Sequence, residues 1–296
     1  MNRITEEELN ETLLTSLEFG ILWEGCLQQK DVSCERGWPK LNILTQEEGA
    51  ARDELWEAVK QGAKISGEDL PDGPLCSLMG FDSSDPKELI LRTNITDYRD
   101  FIYTCARNFY GAKADPIYTS VMLFDDFGTH ISTRLSDTDR FYPNKVAPIG
   151  GFMNFDDSDA DGVPDPFLTI SRVLLEKTGL RVRPEDFYLI GITYNLVLHH
   201  PQLVFLAAPS FLTDVLFDKI TEKRRLSDPD HITRFQWYNG LVCVPGKQCR
   251  SGLKDYRKVL GVEATPTMKA AAQILTNDDY LTDLDIYRKG TKNPVG

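Results

Sequence analysis

The sequence predicts a mixed α/β sandwich preceded by a smaller amino-terminal α+β region. After Pro116, apolar and β-branched runs recur at strand length, with the turn signal Asp125-Asp126-Phe127-Gly128 between the first two. A helical stretch over 166–177 then intervenes, with Pro166 suited to its first turn and Gly179 placed to end it. More strand-like runs and further helical stretches follow. Strands first, a helix, more strands and another helix is the order of a mixed sandwich rather than a doubly wound sheet.

Each element has its own signal. Over 6–19, Leu9, Leu13, Leu14 and Leu17 recur at helical spacing. A short strand is expected over 20–27 and a loop over 30–42. A second helix is expected over 46–60, with Ala50, Leu55, Trp56 and Val59 available for burial. Residues 62–87 are rich in Gly, Pro, Asp and Ser and read as loop. A strand over 88–93 leads to a helix that Thr96 would cap and that turns Tyr98, Phe101 and Ile102 to the apolar side. The boundary falls near 111–116, which gives an amino-terminal region of 1–112 and a main domain of 113–296 with a carboxy-terminal helical extension. In the main domain, 117–124 and 130–135 form a hairpin, and 146–155 carries Pro148-Ile149-Gly150-Gly151-Phe152 into an acidic run. Strands over 188–198, 203–208 and 234–244 and helices over 210–224 and 264–283 complete the expectation.

Bulk charge narrows the partners. The net charge of -12, from 45 acidic and 33 basic residues, repels nucleic acid backbones and anionic membranes. It is compatible with a small phosphorylated ligand, because a bound cation reverses the local sign. The 6 cysteines form no CxxC pair and no Cys/His cluster of zinc spacing, and Cys105 and Cys243 read as buried thiols. Residues 1–10 are polar, without the apolar core of a signal peptide, and no apolar run approaches the ~20 residues of a spanning helix. A soluble, cytoplasmic location is expected.

Gly150-Gly151-Phe-Met-Asn-Phe-Asp-Asp157, followed by Ser171-Arg172-Val-Leu-Leu-Glu176-Lys-Thr-Gly179-Leu180, resembles the Nudix box. Gly151 leads by six positions to Asp157, and Arg172, Leu174, Glu176, Gly179 and Leu180 match the helical half of that motif. The lead-in Leu91-Arg-Thr-Asn-Ile-Thr-Asp-Tyr-Arg-Asp-Phe101 is similar to that of the UDP-sugar-cleaving branch. The resemblance spans about 88–245 and implies a Nudix-type α/β/α sandwich with a mixed sheet. It also implies Glu176 and Arg172 as catalytic groups, with Gly150, Gly151, His199 and His200 beside the ligand.

Positions i, i+3 and i+4 share one helix face, and three glutamates so placed gather divalent ions that hold a pyrophosphate and activate water. Here the three are Val173, Glu176 and Lys177. Two carboxylates are missing, and Lys177 places an ammonium where like charge in a low dielectric is costly. Arg172 either orients Glu176 as in the family or forms an ordinary ion pair with it one turn on.

An insertion about seven residues longer than the family pattern reads Asp156-Asp157-Ser-Asp159-Ala-Asp161-Gly162-Val-Pro-Asp165. Alternate aspartates before a glycine resemble the start of a calcium loop, although Leu168 stands where an EF-hand needs its bidentate glutamate. Either Asp157, Asp159 and Asp161, with Asp165 available beside them, join Glu176 in holding an ion, with Mg2+ expected before Ca2+, or the loop is a solvated turn whose Asp165 caps the helix. His199-His200-Pro201 reads as an acid or phosphate contact, or as a polar hairpin tip. Lys223-Arg224-Arg225 reads as a helix end or a partner contact, and Phe235, Trp237 and Tyr238 as strand aromatics with one side buried.

Two functions compete on these residues. One is a Nudix-fold protein with an eroded box that binds a nucleoside-diphosphate-linked ligand or a protein partner, with weak or no hydrolysis. The other is an active metal-dependent pyrophosphohydrolase of a substrate such as a UDP-sugar. A third expectation is an interaction protein that works through its acidic amino-terminal region.

Overall fold

The apolar runs that follow Pro116 lie side by side in one large mixed sheet. The computed structural model describes residues 18–36, 44–66, 70, 73–107, 114–124, 130–135, 137, 139, 141–208, 238–244 and 263–277. The expected helices over 6–19 (all but its last two residues) and 210–224, the basic cluster 223–225, Phe235 and Trp237 lie outside the described residues. So do the side chains of 238–244, and with them the burial of Tyr238 and Cys243.

Strands β1 (Phe19–Leu27), β5 (Tyr118–Phe124), β6 (His130–Leu135), β9 (Phe187–Asn195), β10 (His200–Ala207) and β11 (Tyr238–Val244) form the main path β1-β9-β10-β5-β6-β11. The short β7 (Val146–Ala147) pairs with β6, and β8 (Ile149–Phe152) pairs with β5. The β10/β5 pair is parallel and the other pairs are antiparallel, so the sheet is mixed. A smaller sheet, β2-β4-β3, joins β2 (Val32–Arg36), β4 (Leu89–Thr96) and β3 (Leu75–Asp82).

Successive residues of a strand face opposite ways, and the two apolar clusters divide along that parity. Val121, Leu123, Leu203 and Phe205 pack with Phe167, Ile170 and Leu174 of α3 (Pro166–Thr178). Their neighbours Met122, Phe124, Val204 and Leu206 pack with Met268, Ala271 and Ile274 of α4 (Pro266–Asn277). The two helices therefore cover opposite faces, which is the α/β/α sandwich expected from the sequence. A third cluster joins α1 (Gln46–Ser66) and α2 (Tyr98–Arg107) through Trp56, Tyr98 and Phe101 to Phe152 of β8.

Several expectations are corrected. The stretch 62–87 is not all loop: α1 runs on to Ser66, and Leu75–Asp82 is β3. Likewise 30–42 contains β2. Thr96 ends β4 rather than capping α2. The cap is Asp97, whose carboxylate accepts the Asp100 N–H at 2.7 Å. The strand expected over 146–155 is split into β7 and β8, one pairing with each strand of the β5/β6 pair. Elements on either side of 112/113 also touch. β1 pairs with β9 in the large sheet, and Cys76, Leu89 and Leu91 of the small sheet share a core with Val121 and Phe205. No helix among the described residues is long and apolar enough to cross a membrane.

Candidate functional site

Local signals set both ends of α3. The Asp165 carboxylate accepts the Phe167 N–H at 2.7 Å, and Pro166 fills the first turn, where a missing N–H costs nothing. Gly179 ends the helix in the left-handed region at φ 77°, with its N–H on Leu175 O. Gln29, in the turn after β1, donates to the other Asp165 oxygen at 2.6 Å, which ties the cap to the first strand.

β8 approaches α3 through its glycine pair. A Cβ on Gly151 would stand 2.9 Å from Val173 Cγ2, and one on Gly150 would stand 2.5 Å from Thr119 O and 2.6 Å from the Tyr118 ring. The space at both missing Cβ atoms is taken by protein, so packing alone demands this Gly-Gly pair. Val173, at the first of the three helix positions, is 2% exposed and belongs to the core. Lys177, at the third, reaches back and donates to Gly150 O.

Between them lies a compact charge cluster. Arg172 grips Asp157 with two hydrogen bonds, Nε to Oδ1 at 2.7 Å and Nη2 to Oδ2 at 2.8 Å, and its Nη1 reaches Glu176 at 2.9 Å. The Thr169 hydroxyl adds a donor to Asp157 at 2.9 Å. Burial opposes the charge on Arg172, yet Asp157 and Glu176 together hold its pKa above the ordinary value. The partners differ in setting: the Asp157 side chain is 10% exposed and that of Glu176 56%. Both residues were expected as metal ligands, and both face a guanidinium.

The acidic insertion closes on itself. Asp159 Oδ1 accepts the N–H groups of Asp161 and Val163, each at 2.9 Å. Gly162, at φ 76°, makes the turn that returns its N–H to Asp159 O at 3.1 Å. The alternation that suggested a calcium loop does not converge on a point. Asp157 turns to Arg172, Asp159 to its own backbone and Asp165 to the helix, while Asp161 is exposed. Among the described residues no three His, Cys, Asp or Glu side chains come together as an ion site. Asp157, Asp159, Asp161 and Glu176 thus do not all turn to one centre, whereas Mg2+ and Ca2+ each take several convergent oxygens.

The two histidines part company. His199 sits in the β9–β10 turn with positive φ, 52°. His200 is the first residue of β10 and is 3% exposed, so it is not part of a polar tip. Its ring lies 5.6 Å from that of Phe101, 5.7 Å from Tyr118 and 6.0 Å from Phe152. Burial, reinforced by the neighbouring His199, pushes its pKa down to about 4 despite the opposing Pro201 carbonyl. The thiols are likewise held in their neutral form, burial raising Cys76 and Cys105 to about 12.

Sequence reasoning paired Arg172 with Glu176 and missed its tighter partner Asp157. The fifteen-residue separation offers no periodicity to find it, although Asp157 was already singled out. The rings around His200 also went unseen, since Phe101, Tyr118 and Phe152 come from three separate elements.

No protein-family model matches the chain, and no curated protein matches it. Solved structures do. The MutT protein from Methanosarcina mazei Go1 is 14% identical, with a TM-score of 0.34 over 56% of this chain and 94% of that one. A Nudix hydrolase from Alicyclobacillus acidocaldarius is 14% identical, with a TM-score of 0.37 over 55% of this chain and 95% of that one. The MERS1–GDP complex of T. brucei is 15% identical, with a TM-score of 0.31 over 55% and 60%. The similarity to these three solved structures thus extends over a little more than half of this chain, 55–56%.

Proposed function

We propose that this protein is a Nudix-fold binding protein that recognises a nucleoside-diphosphate-linked ligand, with weak or no hydrolysis. The supporting observation is the single turn of α3 in which Val173 is in the core, Lys177 is bonded to Gly150 O, and Glu176 shares Arg172 with Asp157. Metal-assisted cleavage of a pyrophosphate requires carboxylates that converge on a cation and a water polarised by it. Here the convergence is on a guanidinium, and a two-point guanidinium–carboxylate pair is among the stronger polar contacts a protein makes. A divalent ion at Asp157 must first displace that pair.

The ligand class follows from the resemblance over 150–180. A protein partner is the other binding mode of the same reading, and the net charge of -12 favours a basic face on it.

The test is calorimetry on the whole chain with UDP-glucose and ADP-ribose, in Mg2+ and in EDTA, alongside an assay for released monophosphate. The expected result is binding heat insensitive to EDTA and no release. Magnesium-dependent release that disappears in Glu176→Gln overturns the proposal. Absence of binding to both nucleotides directs the search to protein partners.

A further inference from the structure

Gln202 stands in the middle of a sealed, neutral polar chain on the α4 side of the sheet. His200 and Gln202 are two apart on β10 and share a face, and they are 3% and 1% exposed. His200 Nδ1 lies 3.3 Å from Pro201 O. A carbonyl only accepts, so Nδ1 carries the proton and Nε2 is left as an acceptor. Gln202 Nε2 lies 3.4 Å from that acceptor and donates to Thr267 Oγ1 at 2.7 Å. On its other side, Gln202 Oε1 accepts the Thr193 hydroxyl at 3.4 Å. The orientation of the amide is thus tied to the lone pair of one imidazole nitrogen.

Adding a proton to Nε2 turns that acceptor into a donor and sets two donors against each other. A half-turn of the amide removes the conflict: Oε1 then faces His200 and Thr267, and Nε2 faces Thr193. Threonine hydroxyls donate and accept equally well, so the chain closes again with its direction reversed. We propose that His200, Gln202 and Thr267 form a proton-operated latch, in which a proton taken from solvent at His200 Nε2 turns the Gln202 amide over. The bond that ties the amino end of α4 to β10 then changes polarity.

The surroundings make His200 the trigger. α2 brings Phe101 and, against Leu198 O, the Cys105 thiol; β5 brings Tyr118; β8 brings Phe152. β9 brings Asn195, opposite His200 and bonded to Tyr142, and the turn brings His199. Tyrosine and cysteine ordinarily titrate on the alkaline side of neutrality. Among the described residues no carboxylate pairs with His200, and burial sets its threshold at about 4.

The test is NMR of the 15N-labelled full chain titrated from neutral to acid pH. The Gln202 side-chain amide and the backbone amide signals of 267–277 are expected to move with the midpoint of the His200 ring. Thr267→Val is expected to preserve the His200 titration and lose the α4 response, Thr267→Ser to keep both, and His199→Asn to raise the His200 midpoint while the α4 response moves with it. Three results overturn the latch: a Gln202 amide that ignores the His200 titration, an α4 response that survives in Thr267→Val, or unfolding of the wild type before His200 titrates. If Thr267→Val does not fold, loss of the α4 response in Thr267→Ser also overturns it.

Discussion

Beside α3 the polar groups of the sandwich are charged, reach toward solvent and neutralise one another; beneath α4 they are neutral, sealed and strung in a line. Arg172, Asp157, Glu176 and Lys177 make up the first set. His200, Gln202, Thr193 and Thr267 make up the second. The contrast follows from depth. A charge tolerates partial burial when a two-point partner and water share its field, whereas full burial favours the uncharged form of any titratable group. The α3 face therefore keeps its ions, and the α4 face keeps an imidazole without its second proton.

The two faces meet at β8, and the largest expected effect is there. Gly150→Ala drives a methyl into Thr119 O and the Tyr118 ring, so β5 itself must shift. A loss of roughly 3 kcal/mol, the upper end for overpacking, is expected in urea unfolding. A smaller loss than for Gly151→Ala, which meets only Val173 methyls, breaks this account.

Acid separates the faces next. The folded-state pKa of His200 lies below its unfolded value, so the unfolded chain binds more protons between about pH 6.5 and about 4. Its contribution is complete above the upper limit and is lost as pH falls toward the lower, amounting to roughly 3 kcal/mol. His130, on the same face beside Phe124 and pushed by burial to about 3, extends the loss further into acid. Unfolding midpoints measured across this range are expected to fall steeply for the wild type and less steeply for His200→Phe.

On the α3 face, Arg172→Leu strands Asp157 at 10% exposure, and a loss of roughly 2 kcal/mol is expected after allowing for the partly wet guanidinium. Glu176→Gln, at 56% exposure, is expected to change stability by less than about 0.5 kcal/mol. Equal effects of the two substitutions, read from unfolding curves, would contradict the division of labour drawn between Asp157 and Glu176.

What the sequence disclosed was local. α3 was legible because Asp165, Pro166 and Gly179 each act within a turn of the helix end. The hairpin strands β5 and β6 were legible from β-branched runs on either side of a turn. β3 was hidden because Leu75–Asp82 sits among Gly, Pro and Asp residues and contains Gly80, so its strand character comes from pairing with β4 rather than from propensity. The acidic insertion was ambiguous for a similar reason. Spacing alone does not distinguish aspartates aimed at a common centre from aspartates each turned to a different donor, and Arg172, Val163 and Phe167 decide it.

The pairing of Phe19 with Asn195 sets a timetable for biosynthesis. Their separation, 195 − 19 = 176 residues, means that β1 waits for β9, its neighbour among the described strands, while all the residues between them are made. Chains rich in such distant pairings fold slowly, because loop closure precedes any reward. During that interval β1 lacks its β9 partner, an opening for chaperones and for mispairing between nascent copies.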